Sequence, residues 1–355
     1  MSADRPRALL VRLSSLGDVV LATAALEALR EDVPGLEVHV LTKPSFREVF
    51  SGNPAVAQVK EWWPSQGVAA TALGLRREGY DWVVDLHANL RTRLLRLALP
   101  GPRWSVYAKG SRRRRLAVAL KRPQLLGTRH VVDRYLDALG PLGVRPFRRL
   151  PRLYPTDAER EAAARRLAQA GWRDGEPLLA LAPGARWATK AWPPEHWAAL
   201  LQGLSARRLG VPVLLGGAEE APLCRGILEA SGAPGVSLAG EATLRETTAI
   251  LGAAAVLICN DSAPLHLAAA VRTPVVALFG PTVRGFGFSP LGARDRVLEI
   301  DLDCRPCSLH GTARCPRGHH RCLRDVAVDR VLDAAASVLL EAGPSLLQND
   351  PFRPA

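Results

Sequence analysis

Short apolar runs alternate with stretches of helical spacing along most of this chain, which predicts strands and helices in succession. In the first half, strands are expected at Ala8 to Arg12, Leu36 to Leu41, Val56 to Val59 and Trp82 to Leu86. Helices are expected at Asp18 to Arg30, read as amphipathic, and at Val68 to Glu78. His130 to Leu139 also has helical spacing, with Val131, Tyr135 and Leu139 on one side. Gly143 to Pro155 is rich in Pro and Arg and reads as a linker. A polar helix, Asp157 to Ala170, follows, and then the pattern restarts. Leu178 to Ala182, Val211 to Leu215, Ala254 to Cys259 and Pro274 to Phe279 read as strands. Pro193-Pro194 opens a helix running to Ala206, and Thr243 begins another. Such alternation implies an α/β fold with doubly wound parallel sheets. A chain of 355 residues is long for one core, so two similar halves are expected, 1–155 and 156–345, with a cleft between them and a tail at 346–355.

Composition narrows the class. A hydrophobic content of 48% supports a well-packed globular protein. No apolar run reaches the roughly 18 to 20 residues of a membrane span. Met1 to Arg7 is polar and lacks the apolar core of a signal peptide, so a cytoplasmic protein is expected. The formal charge of +13 is concentrated: Arg91 to Arg122 holds eleven Lys or Arg residues and no acid, and includes Arg112 to Arg115. Such a surface attracts a polyanion, whether nucleic acid, anionic lipid or phosphorylated glycan. No aromatic residue interleaves with Arg112 to Arg115, so a platform for stacking bases is unsupported and no nucleic-acid partner is expected.

Candidate chemistry clusters where predicted strands end. Asn260-Asp261-Ser262-Ala263-Pro264-Leu265-His266 follows one apolar run, and Gly280-Pro281-Thr282 follows the next. Asp261 or Ser262 suits a helix cap and Pro264 its first turn, so free N–H groups would point at an anion with Ser262 and His266 beside it. Lys190, flanked by Trp187 and Trp192, sits in a strand-to-helix loop where it would neutralise a phosphate. Glu219 and Glu220 follow Gly216-Gly217 and would reach ribose hydroxyls. In Arg12-Leu-Ser-Ser15-Leu-Gly17-Asp18, Gly17 would permit a tight turn and Asp18 is either a helix cap or a general base. Asp85-Leu-His87-Ala-Asn89-Leu-Arg91 ends another strand, with polar groups that would face an acceptor. Cys304, Cys307, Cys315 and Cys322 form C-x2-C-x7-C-x6-C around His319 and His320, which fits a structural zinc, reduced thiols or a redox-dependent disulfide. Cys224 and Cys259 read as core.

Taken together, Ser14-Ser15-Leu-Gly-Asp18-Val-Val20, Asp85-Leu-His-Ala-Asn89, His130-Val-Val-Asp-Arg-Tyr135, Ala182-Pro-Gly184 with Lys190-Ala-Trp-Pro193, Asn260 to His266 and Phe279-Gly-Pro-Thr282 resemble the ADP-heptose:lipopolysaccharide heptosyltransferases, glycosyltransferase family 9. The resemblance covers nearly the whole chain, and Gly318-His319-His320-Arg321-Cys322 is similar to the heptosyltransferase II-type branch. It implies a GT-B fold of two Rossmann-like domains and transfer of heptose from ADP-heptose, with inversion, to a lipopolysaccharide core acceptor. Asp18 is implied as base. Lys190, Glu219 or Glu220, Asp261, Ser262, Ala263, His266 and Thr282 are implied on the donor side. On the acceptor side stand Ser15, Gly17, His87, Asn89, Arg91, Arg112 and Arg113. No cofactor is expected for the transfer itself, only a possible structural zinc. The basic field is expected to hold the enzyme to the anionic inner-membrane surface. One departure is Ala263, where the family usually has Gly. Two other readings are a GT-B enzyme that takes a different nucleotide sugar for another surface glycan, and a basic zinc protein that binds nucleic acid.

Overall fold

The computed structural model describes residues 5–145, 147 and 150–342. The tail expected at 346–355 lies outside them. Two compact units are present, Met1–Ser111 with Arg129–Tyr154, and Arg112–Thr128 with Pro155–Ala355. The arginine-rich stretch from Arg112 onward therefore clusters with the second unit, although it precedes the segment read as a linker.

The first unit contains β1 (Arg7–Val11), α1 (Leu16–Asp32), β2 (Glu37–Thr42), β3 (Gln58–Glu61), α2 (Gly67–Arg76), β4 (Trp82–Asp85), α3 (Leu90–Ala98) and β5 (Arg103–Val106). α4 (Ser111–Leu120) begins at the end of its first segment, and α5 (Val131–Asp137) lies in its second. Its sheet is parallel throughout, in the order β3-β2-β1-β4-β5. β1 is central and buried, as a strand covered on both faces must be. Helix α1 differs from the amphipathic reading. Twelve of its seventeen residues are buried, from Gly17 to Leu29, so it is a core helix and not a surface one. Its buried polar groups need partners. The supposed linker supplies them: Arg152 N–H donates to Thr23 Oγ1 at 2.9 Å and the Tyr154 hydroxyl to Glu27 at 2.8 Å. Its Arg152 to Tyr154 end is docked chain.

The second unit contains α6 (Asp157–Gln169), β6 (Leu178–Ala182), α7 (Pro194–Ala206), β7 (Val211–Leu214), α8 (Ala221–Ser231), β8 (Val236–Ser237), α9 (Leu244–Ala253), β9 (Val256–Asn260), α10 (Ala263–Ala270), β10 (Val275–Phe279), β11 (Arg296–Glu299), α11 (Arg321–Arg324) and α12 (Val328–Ala342). Its parallel sheet runs β11-β10-β9-β6-β7-β8. The core gathers Leu179, Leu181, Ile258 and Leu278 of the sheet against Trp197 and Leu201 of α7 and Val331 and Ala335 of α12.

In both sheets the chain first builds outward on one side, then crosses to the other. The reversals fall between β1 and β4 and between β6 and β9. Ligands of open α/β sheets bind outside the carboxyl ends of strands at such a reversal. The loops that follow β1, β4, β6 and β9 carry four of the six motifs singled out from sequence.

Candidate active site

In the first unit, Ser15 is the N-cap of α1 and Asp18 the third residue of its first turn. Asp18 is therefore not the cap itself. Its Oδ2 accepts from the Ser15 hydroxyl at 2.9 Å and from the Ser15 backbone N–H at 3.4 Å. Its Oδ1 meets Arg12 Nη2 at 2.7 Å and accepts from the Tyr135 hydroxyl at 3.5 Å. Arg12 is the residue just past β1. It is buried, lies over the Tyr135 ring, and donates through Nη1 to the Leu86 carbonyl. Burial works against its charge, but Tyr135, Asp18 and Tyr107 together leave its pKa raised. The Asp18 carboxylate is thus fixed in direction from both sides while its side chain keeps 20% exposure. Gly17 sits inside the helical turn and is absent from the positive-φ glycines, so it serves no tight turn.

After β4, the Asp85 carboxylate accepts from the His87 and Ala88 backbone N–H groups at 2.9 and 2.8 Å. Ala88 takes a positive φ of 47°, and Asn89 caps α3 by accepting from Thr92 N–H at 3.0 Å. Asn89 thus spends its carbonyl on the helix, and Arg91 is exposed in the first turn. Burial, followed by the charges of Arg12, Lys109 and Lys43, pushes His87 down to about 4, so its imidazole is neutral at pH 7. Lys43 and Lys109 were not singled out by sequence reasoning. They follow β2 and β5, which lie on either side of the central pair β1 and β4, a placement visible only in the strand order. Arg112 and Arg113 lie on α4 and cluster with the second unit, whereas Asp18 belongs to the first.

In the second unit, the Lys190 ammonium meets Asp261 Oδ2 at 2.6 Å and donates to the Asp261 carbonyl at 3.0 Å. The Thr282 hydroxyl donates to the same Oδ2 at 2.6 Å. Asp261 is therefore the joint of three loops and not a helix cap. Ser262 holds the N-cap position of α10, and its buried Oγ has no hydrogen-bond partner among the described residues. His266 lies inside α10, edge-on to Phe288 with ring centroids 6.3 Å apart. Asn260 ties in the loop after β6, with Nδ2 donating to the Pro183 carbonyl at 2.7 Å and Oδ1 accepting from Trp192 N–H at 3.1 Å. Glu219 is exposed, whereas Glu220 folds back over the strand ends. Its Oε2 accepts from Gly217 N–H at 2.8 Å, and a Cβ at Gly184 would collide with its carboxylate. Of the two neighbouring acids, Glu220 is the one at the carboxyl ends of β6 and β7.

The cysteine segment wraps the Gly280 to Thr282 turn. Cys307 N–H donates to the Pro281 carbonyl at 2.9 Å, and buried Arg305 donates to the carbonyls of Gly280, Ile300 and Thr282 and to Glu299. Arg305 carried no sequence signal, yet it pins the turn that presents Thr282. The thiols are free. Cys307 Sγ donates to the Cys304 carbonyl at 3.0 Å, and Cys304 Sγ lies 3.9 Å from His319 Nε2. Burial pushes the Cys307 and Cys322 thiols up to about 11. Among the described residues, no group of three or more His, Cys, Asp or Glu side chains is gathered to hold a metal ion. The four cysteines are not gathered around one point: the Cys307 thiol is turned to a backbone carbonyl, and Cys322 is packed into the core. Elemental analysis of protein purified without added metal should give well under one zinc per chain, with all four thiols reacting once the protein is unfolded. One tightly held zinc, lost with thermal stability in Cys304→Ser, would reverse that expectation.

Residues 68–314 match the model for glycosyltransferase family 9 (heptosyltransferase). The chain belongs to this family. Over 320 residues it is 29% identical to lipopolysaccharide heptosyltransferase 1 of Pseudomonas aeruginosa, across 85% of this chain and 86% of that protein. A family-9 glycosyl transferase from Veillonella parvula superposes with a TM-score of 0.78 at 23% identity, covering 96% of this chain and 99% of that one. The E. coli ADP-heptose lipopolysaccharide heptosyltransferase II gives 0.72 at 22% identity, covering 95% and 99%. These likenesses fix the fold as the GT-B type, built from two Rossmann-like units. Within this family-9 glycosyltransferase, Ala263 is the position where the resemblance led to an expected Gly. Ala263 is the first residue of α10 and is not among the residues of positive φ. The extra Cβ is therefore carried without backbone strain.

Proposed function

We propose that this chain transfers a heptose from ADP-heptose to a lipopolysaccharide inner-core acceptor, with inversion at the anomeric carbon. The observation that carries the reading is the placement of the Asp18 and Asp261 turns, each at the strand-order reversal of its own sheet. Asp18 takes the proton of the acceptor hydroxyl as its oxygen attacks the anomeric carbon, opposite the bond to the leaving ADP. A single oriented carboxylate suffices for such a one-step displacement. ADP leaves with growing negative charge, stabilised by Lys190 and the N–H groups opening α10, with no divalent metal and no cofactor. Ser262, Thr282 and His266 flank the pyrophosphate, and Glu220 meets the ribose. Neutral His87, with Ser15 and Arg91, contacts the acceptor. The ADP-heptose donor is supported by the E. coli structural relative, an ADP-heptose lipopolysaccharide heptosyltransferase, and the lipopolysaccharide acceptor by the Pseudomonas heptosyltransferase.

No helix among the described residues is long and apolar enough to cross a membrane. The proposal places the enzyme at the cytoplasmic face of the inner membrane, held by its basic field. Mass spectrometry of a truncated lipopolysaccharide acceptor incubated with the enzyme and ADP-heptose tests the transfer. One heptose should be added, with or without EDTA, and matched UDP- and GDP-sugars should give nothing. Transfer from a UDP-sugar alone would move the chain to another donor, and loss with EDTA would sink the metal-free step.

A further inference from the structure

Helix α3 carries an apolar stripe on the wrong side. Its core-facing residues are Thr92, Leu95 and the capping Leu99, all fully buried. At about 100° per residue, Leu90, Leu94 and Leu97 fall within a stripe roughly 60° wide on the opposite side of the helix. They are 70%, 44% and 79% exposed. A surface helix ordinarily puts polar residues there. Arg93 and Arg96 flank the stripe on one side and Arg91 on the other. All three are exposed, and none makes an ion pair among the described residues. No acid occurs from Arg91 to Arg122, so no acid close in sequence neutralises this face. Val106 of the edge strand β5 adds a further exposed aliphatic side chain.

We propose that α3 is an interfacial helix, whose Leu90, Leu94 and Leu97 enter the head-group region of an anionic bilayer while Arg93 and Arg96 pair with lipid phosphates. The two halves of the arrangement have different jobs. Arginines draw the helix to a negative surface and weaken with salt, whereas buried leucine side chains hold it there at any ionic strength. The aliphatic stems of the arginines lie along the apolar boundary while their guanidinium groups stay in the polar layer. A protein partner would be served by the leucines, but it gives no reason for unpaired cations beside the stripe. The function proposed above supplies a setting for this contact, but vesicle binding is read without donor or acceptor, so the two readings fail separately.

Flotation of the full chain with phosphatidylcholine vesicles, with and without phosphatidylglycerol, tests it. Wild-type protein should partition strongly onto the anionic vesicles and far more weakly onto the neutral ones. Leu90→Ser/Leu94→Ser/Leu97→Ser should lower that partition on the order of a hundredfold at both low and high salt. Its melting temperature and its turnover on a short soluble acceptor should be unchanged, because these side chains face outward. Arg93→Glu/Arg96→Glu should lose binding at low salt and differ little at high salt. Wild-type partition by the leucine variant would overturn the proposal. So would a multimer that the leucine variant converts to monomer without losing vesicles, because the stripe would then be a contact between copies.

Discussion

Replacing Asp18 with Asn should reduce turnover by about a hundredfold or more, the scale of a lost general base, while ADP binds as before. The reasons lie in the geometry. Asn has the shape of Asp, and its side-chain oxygen can still accept from Arg12 and Tyr135, which now reach Oδ1 at 2.7 and 3.5 Å, while its NH2, in the place of Oδ2, can donate to a Ser15 hydroxyl turned to accept, so that only the long 3.4 Å bond from the Ser15 N–H is lost. The turn of α1 should therefore stand. What disappears is the site that takes a proton. Donor contacts are proposed on the Lys190 and Asp261 loops of the other unit, and Asn keeps the size of Asp, so ADP affinity should hold. Calorimetric titration with ADP, alongside initial rates with saturating donor, separates the possibilities. Parallel loss of rate and ADP affinity would make Asp18 a structural member of the α1 capping box. A rate within a few-fold of wild type would remove it from the mechanism.

The central strands were legible because a strand buried on both faces must be a run of apolar residues, as in Leu178–Ala182 and Val256–Asn260. The polar turns after them were legible because Gly, Pro, Asp and Ser there break the pattern. The edge strands β5, β8 and β11 escaped detection. They are short, and β5 reads Arg-Trp-Ser-Val with exposed ends, since pairing on one side alone imposes no apolar run. The third strand is shifted from Val56–Val59 to Gln58–Glu61 because its pairing with β2 sets the register, His39 opposite Gln58. Other features depend on contacts far apart in sequence. Arg12 meets Asp18 because α1 begins directly over β1, and Tyr135 joins them from 117 residues away. Glu219 and Glu220 are equivalent as sequence. Only the clearances at Gly184 and Gly216 single out Glu220. The crossing of Arg112–Thr128 to the second unit left no local mark, because a basic helix reads the same wherever it packs.

The Lys190 and Asp261 pair should show the largest coupled effect in the second unit. Their side chains are only 16% and 10% exposed, with charges 2.6 Å apart. Lys190→Met would leave the Asp261 carboxylate with the Thr282 hydroxyl and no cation. Removing one partner of a buried pair costs about 3 to 5 kcal/mol, so a clear fall in melting temperature is expected, together with weaker ADP binding. Asp261→Asn should also destabilise, by leaving the ammonium without its counter-charge. Neither variant alone tells whether Lys190 serves the fold or the phosphate. The double variant does. With both charges gone, the introduced asparagine can still accept from Thr282, and most of the melting temperature should return. ADP affinity should not. It should stay at least about tenfold below wild type, the order of one charge-assisted phosphate contact. Recovery of ADP affinity along with stability would show that Lys190 does nothing but neutralise Asp261, and the leaving-group charge would then fall to the α10 N-terminus alone.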